Sequence, residues 1–294
     1  MPTYYKSQSA IGLPPDGDII HDPDIRFFTC DDEPSYTIKN FIDEKERKAL
    51  FDFFTEEYER TGENINNKIL HINHPIRHNI IKDIVHKKLV SHFGDKIVYY
   101  SDVSNDPINV GDQFFKIESP YQLHTDCVTH IPGYKPYKDV IIPIEMAADK
   151  ELFYYICEQR YKSRGSQFQK GRSNFYFPSY SNVLRSKPYE EYGVENVKYD
   201  AIQPEWFEKH VSDKVSRTAY EGISIEGTFP WIPGDAIVQD SCAIHGSSNF
   251  NTESVPWKIG LTFHLLIADS SYGHEIDGEY YTKFSRYTKP LIKA

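Results

Sequence analysis

The run Pro233-Gly234-Asp235-Ala236-Ile237-Val238-Gln239-Asp240-Ser241-Cys242-Ala243-Ile244-His245 decides the fold. Pro-Gly-Asp marks a turn, Ile237 and Val238 carry a strand over 236–239, and His245 follows shortly after that strand. Downstream, residues 259–267 read as another strand. On it Ile259, Leu261, Phe263 and Leu265 share one face, while Lys258, Gly260, Thr262 and His264 share the other. Upstream, 97–100, 113–117, 140–146 and 152–156 are brief β-branched and aromatic runs separated by Pro, Gly and Asp.

Further toward the N-terminus the periodicity becomes helical. Tyr36-Thr37-Ile38 reads as a short strand, and Asp43 with Glu46 three residues on predicts a capped helix whose apolar face is Leu50, Phe53 and Phe54. Ile81, Ile84, Val85, Leu89 and Phe93 predict a second helix over 77–93, closed by Gly94. The expectation is an α+β chain: a jelly roll with N-terminal helices packed on one sheet, formed as one domain over 1–294. Within it, 1–35 is an irregular arm, 36–96 helical support, 97–268 the core and 269–294 a tail. Between about 158 and 227 the strand rhythm fails in a Tyr-rich, locally basic segment, expected to be a lid-like insertion.

A length of 294 residues suits one sheet-rich domain with insertions, and 39% hydrophobic with 15% aromatic residues suits a folded core. The formal net charge of -10 argues against a broad phosphate-binding surface, so nucleic acid is not expected as a partner. No apolar run approaches the roughly 18 residues of a membrane helix and no signal-peptide pattern opens the chain, which points to a cytoplasmic protein without membrane association. The four cysteines, Cys30, Cys127, Cys157 and Cys242, form no C-x-x-C pair and are expected to be reduced.

His124-Thr125-Asp126 places an imidazole and a carboxylate two residues apart, the spacing that turns both to one face of an extended strand. Alone the pattern is weak: with 12 histidines a chance H-x-D is expected about once. The distant His245, arriving beside a second strand, supplies a third ligand. Two histidines and one carboxylate on one face leave coordination positions open on Fe(II); the same set also suits a hydrolytic zinc site.

The ordered set His124-Thr125-Asp126, Gly234-Asp235, His245 and Lys258 resembles the 2-oxoglutarate/Fe(II)-dependent dioxygenase superfamily, whose members are double-stranded β-helix proteins. The resemblance spans about 97–268, and 36–54 is similar to the lead-in of prolyl-hydroxylase-like members. It implies metal ligation by His124, Asp126 and His245, and co-substrate binding by Lys258, which would hold the distal carboxylate of 2-oxoglutarate. It further implies use of O₂, release of succinate and CO₂, and hydroxylation of the substrate. An intact carboxylate at Asp126 argues against halogenation. Many relatives carry Arg-x-Ser where this chain has Lys258-Ile259-Gly260; Thr262 is the nearest replacement for the missing hydroxyl. Phe115 stands where relatives often have Tyr, and Tyr121 matches an aromatic co-substrate position.

A small-molecule substrate is expected. The basic cluster Arg160, Lys162, Arg164, Lys170 and Arg172 fits either an anionic substrate or a solvated lid. The alternatives are a prolyl-type protein or peptide hydroxylase, a cupin-like metal protein that does not use 2-oxoglutarate, and a binding module without turnover.

Overall fold

Asp43 and Glu46 close the expected capping box: the Asp43 N–H donates to Glu46 Oε2 at 2.8 Å, and the Glu46 N–H donates to Asp43 Oδ1 at 2.8 Å. They start α1 (Glu44–Thr61) directly after β1 (Tyr36–Ile38) in the computed structural model of the chain. The structure describes residues 33–61, 69–73, 75–103, 112–118, 120, 123–126, 133–147, 151–161, 166–169, 181–184, 194–198, 204–211, 220–249 and 255–269. The second expected helix is a succession of short pieces: a 3₁₀ turn at Pro75–Arg77, α2 (Asn79–Ile81), a π turn at Lys82–His86 and α3 (Lys87–Phe93). Gly94 ends it at φ 91°, its N–H returning to Val90 O at 2.8 Å.

The strands follow as β2 (Ile69–Asn73), β3 (Ile97–Tyr99), β4 (Gln113–Ile117), β5 (Tyr134–Met146), β6 (Phe153–Tyr161), β7 (Ser166–Gln169), β8 (Ser181–Leu184), β9 (Val194–Glu195), β10 (Ile225–Pro230), β11 (Ala236–Asp240), β12 (Ala243–Ser247) and β13 (Lys258–Ala268). Two short helices, α4 (Tyr100–Val103) and α5 (Pro204–His210), complete the described elements. The larger sheet has the order β1-β11-β5-β13-β4-β2, with β3 also on β13, and the smaller has the order β10-β6-β12 with β9 on β6. All the pairings within these two sheets are antiparallel; β7 and β8 form a separate parallel pair.

Strand alternation sorts the large sheet into two faces. Ile259, Leu261, Phe263 and Leu265 of β13, with Val140 and Ile142 of β5 and Ala236 and Val238 of β11, are buried in one cluster with Leu50 and Phe54 of α1 and with Ile81, Val85 and Leu89. Phe54 and Phe114 bring their ring centroids to 4.6 Å, and Arg47 donates to Ile144 O at 3.0 Å, tying α1 to β4 and β5. Each such Leu, Ile or Phe removed from water contributes roughly 1.5–3 kcal/mol. On the other face Ile117, Ile141 and Ile237 meet Tyr154 and Ile156 of β6 and Ala243 of β12, so the two sheets pack against each other.

The outer face of the small sheet is also covered. Tyr155, Cys157, Tyr161 and Ile244 are buried with Phe207 of α5, Val211, Tyr220 and Ile223, and Phe207 stacks on Tyr220 at 4.2 Å. Part of 158–227 therefore builds a core layer, and strands enter it from both ends, β6 running to Tyr161 and β10 beginning at Ile225. Lys162, Arg164, Lys170 and Arg172 lie outside the described residues, as do 1–32 and 270–294.

One expectation is overturned. Cys242 is disulfide-bonded rather than reduced, whereas Cys157 is a free, buried thiol. A bridge between segments remote in sequence leaves no local C-x-x-C spacing by which it could be read. No helix among the described residues is long and apolar enough to cross a membrane.

Candidate metal centre

The Pro233-Gly234-Asp235 turn fixes where β11 begins. Gly234 sits at φ 97°, its N–H donates to Pro143 O at 2.9 Å, and its carbonyl accepts from Ile42 N at 2.9 Å; a Cβ there would lie 3.0 Å from Ile42 O. Asp235 accepts from Asn40 N at 2.9 Å and Lys39 Nζ at 2.8 Å. The turn so clamped starts β11 in the large sheet, and after two intervening residues β12 joins the small sheet and carries His245.

His245 then meets His124 through the backbone. Their N–H and C=O groups exchange two bonds, at 2.9 and 2.8 Å, as an isolated antiparallel bridge. The rings meet edge to face with centroids 4.2 Å apart and Nε2 atoms 3.1 Å apart. Asp126 completes the cluster, with Oδ1 3.7 Å from His124 Nε2 and Oδ2 3.4 Å from His245 Nε2. Among the described residues these three form a group able to hold a metal ion. Two ligands on one ion at about 2.1 Å and a right angle stand about 3.0 Å apart, which is the separation of the two Nε2 atoms.

The tautomer fits too. His245 Nδ1 lies 2.9 Å from Ala243 O, so its proton is committed there and Nε2 presents a lone pair. The Gln239 carboxamide also approaches Nδ1, at 2.9 Å, and its Oε1 is a buried atom without a partner among the described residues. With the amide turned, that oxygen becomes a second acceptor for the one Nδ1 proton, shared with Ala243 O.

Charge in this part of the interior favours a cation. Asp112 and Asp139 are fully buried and Asp126 largely so. His264 on β13 lies among them: its Nδ1 is 2.8 Å from Asp139 Oδ1 and its N–H donates to Asp112 Oδ1 at 2.7 Å. Burial pulls the His264 pKa down, but Asp139 foremost and then Asp126 push it up to about 10, making it an imidazolium. Burial raises the Asp112 and Asp139 carboxyls. Burial opposes ionisation of Asp126 as well, yet His245, His264 and His124 hold its pKa well below the ordinary value. Asp126, held ionised and within 3.7 Å of both histidine Nε2 atoms, brings negative charge to the place a divalent ion would occupy.

Lys258 opens β13 on the face directed at the small sheet. It is 1% exposed, donates from Nζ to Ser247 Oγ at 2.9 Å, and places Nζ 3.9 Å from the centroid of the Trp231 ring. Desolvation lowers its pKa to about 7. Gly260, on the same face, is pressed by Trp231 and Phe115: a Cβ would meet Trp231 Cη2 at 2.8 Å and Phe115 Cζ at 3.0 Å. That contact explains why no hydroxyl residue stands there. Thr262 is half-buried between Gln113 and Ile141, and Tyr121 lies outside the described residues.

Arg160 is withdrawn from the basic cluster. It is buried, donating to Cys157 O at 2.6 Å and to Glu226 at 2.5 Å. Sequence reasoning missed Ser247, Gln239, Asp139 and Trp231. Ser247 was within reach, being two residues past His245 and so on the same face of a strand.

Fold and site together define a two-sheet protein with a buried cluster of two histidines and one carboxylate facing a buried lysine. Three solved structures are similar to the chain. One is the non-heme alpha ketoglutarate dependent epimerase SnoN from nogalamycin biosynthesis, at 7% identity and TM-score 0.40, covering 81% of this chain and 79% of that one. Another is apo EctD from S. alaskensis, at 10% identity and TM-score 0.38, covering 81% and 74%. The third is the non-heme alpha ketoglutarate dependent carbocyclase SnoK from nogalamycin biosynthesis, at 11% identity and TM-score 0.37, covering 84% and 86%. No family model and no curated protein matches the chain.

Proposed function

We propose that the chain is an Fe(II)- and 2-oxoglutarate-dependent oxygenase that hydroxylates a small molecule, with its core a jelly roll. The observation that carries the proposal is the pair of Nε2 atoms 3.1 Å apart beside Asp126, with the buried ammonium of Lys258 on the facing wall.

His124, Asp126 and His245 would hold Fe(II), the metal that such a two-histidine, one-carboxylate set suits. The metal, when bound, supplies the oxidative chemistry that converts 2-oxoglutarate and O₂ to succinate, CO₂ and a hydroxylated product. The chain supplies orientation and dryness. Ala243 O and Gln239 fix the His245 ring, and His264 places positive charge beside Asp126. Lys258 and Ser247 offer ammonium and hydroxyl to the far carboxylate of the co-substrate. Tyr154, whose ring lies 5.1 Å from that of His245, walls the centre on the small-sheet side.

Anaerobic addition of Fe(II) and then 2-oxoglutarate tests this. The expected result is a weak visible charge-transfer band, retained metal but no band in Lys258→Ala, and loss of metal in His245→Ala. Metal-loaded protein that shows no band, and whose activity survives Lys258→Ala without 2-oxoglutarate, would make it a hydrolytic or cupin-like metal protein instead.

A further inference from the structure

Trp231 is the feature that the metal centre leaves unexplained. It lies just past β10, is 2% exposed, and is held by its own N–H donating to Leu152 O at 2.8 Å. Its indole Nε1 is buried and has no hydrogen-bond partner among the described residues. Buried indole N–H groups ordinarily find an acceptor.

The ring's orientation follows from its contacts. The benzo edge faces β13, with Cζ2 2.9 Å and Cη2 2.8 Å from the position a Cβ would take on Gly260. Cζ2 and Nε1 are bonded to the same atom, Cε2, so the N–H lies on the adjoining edge of the indole. Above the ring face stands Lys258 Nζ, 3.9 Å from the centroid, and beyond it Ser247 Oγ, which accepts from Nζ at 2.9 Å and keeps its own proton to donate. Ammonium, hydroxyl and indole N–H thus gather in one buried corner between the sheets. Such a set of donors, one of them cationic, matches a carboxylate.

We propose that Trp231 is the specificity-determining partner of Lys258: its ring backs the ammonium and its N–H caps the distal carboxylate of a dicarboxylic 2-oxo acid. This rests on the oxygenase reading for the identity of the acid, though not for the carboxylate itself. The arrangement accounts for Gly260, because any side chain on β13 at that point would displace the indole. The hydroxyl that many proteins of the resembling superfamily carry two residues past the basic anchor is replaced here by an N–H from another strand's end.

Indole NMR on ¹⁵N-tryptophan-labelled protein loaded with diamagnetic Zn(II) tests the proposal. The chain has three tryptophans, and Trp231→Phe removes and so assigns one indole resonance. Adding 2-oxoglutarate or glutarate is expected to move the Trp231 resonance downfield, with no such shift from pyruvate, which lacks the distal carboxylate. Lys258→Met abolishes the shift. Trp231→Phe keeps the ring behind the ammonium and is expected to raise the Kd for 2-oxoglutarate about ten-fold while leaving metal affinity unchanged. If glutarate moves the resonance but 2-oxoglutarate gives no charge-transfer band with Fe(II), the carboxylate corner stands and the oxygenase reading falls. If the band forms and the resonance stays still, or if no carboxylate moves it, Trp231 has no such role.

Discussion

Burial disfavours the charged form of Lys258, and a bound anion offsets that cost. Buried on the inner face of β13 against Ser247 and Trp231, it has its pKa lowered by desolvation to about 7, so near neutral pH the protein without co-substrate is partly without the charge that recognition needs. Unfolded lysine keeps its proton to about 10.4, so between about 7 and that value the unfolded chain binds more protons and stability rises with pH. Binding of an anion runs the other way, since it must restore the ammonium. The affinity for 2-oxoglutarate is therefore expected to fall as pH rises through 7 to 9, approaching ten-fold per unit, by calorimetry under anaerobic conditions with Fe(II) present. Lys258→Arg, charged throughout this range, flattens the profile. An unchanged slope in that variant would assign the pH dependence to another group.

At the scale of elements, the site depends on how closely β12 lies on β6. Gly246, next to His245, pairs with Tyr155 of β6, and a Cβ there would fall 2.6 Å from Tyr155 Cζ and closer still to the hydroxyl. Gly246→Ala must lift β12 off its neighbour, and His245 moves with it. The expected outcome is at least a ten-fold loss in metal affinity by titration with Zn(II), with a modest loss of stability of about 1–3 kcal/mol. An unaltered metal affinity would mean that β12 yields elsewhere. The same strand shows what was legible in the sequence. The turn at Gly234, the alternation of β13 and the capping box at Asp43 and Glu46 are local, and each stands as its residues predict. The face that Lys258 shares with Gly260 was readable from strand phase alone. What could not be read joins distant residues: the backbone bridge between His124 and His245, 121 positions apart, and the His264–Asp139 contact, 125 apart. Neither leaves a spacing in the chain. The disulfide at Cys242 escaped for the same reason.

For the whole molecule, the candidate centre ties the segment that follows β4 to the small sheet, beside charged groups of the large one. His245 belongs to the small sheet, while Asp139 and His264 belong to the large one. His124 and Asp126 lie on the segment that follows β4. An ion held by the triad engages groups that come together only in the folded state, so its binding free energy is added to folding stability. At metal a hundred-fold above its Kd the gain is about 2.7 kcal/mol, a rise of several degrees in the thermal midpoint for a chain of this size. Chelation reverses it. Asp126→Asn preserves the side chain's volume and removes its charge, so its metal-free form remains folded while the increment with Zn(II) or Fe(II) largely disappears. Scanning calorimetry of both proteins, with and without metal, separates the possibilities. A metal-dependent rise of equal size in Asp126→Asn would place the ion elsewhere, and no rise in either protein would leave the two histidines as a hydrogen-bonded pair rather than a centre. The Lys258→Ala protein provides the last comparison. Its metal increment should equal that of the parent, because the ammonium acts on the co-substrate and not on the ion, and only the additional stabilisation by 2-oxoglutarate should be lost.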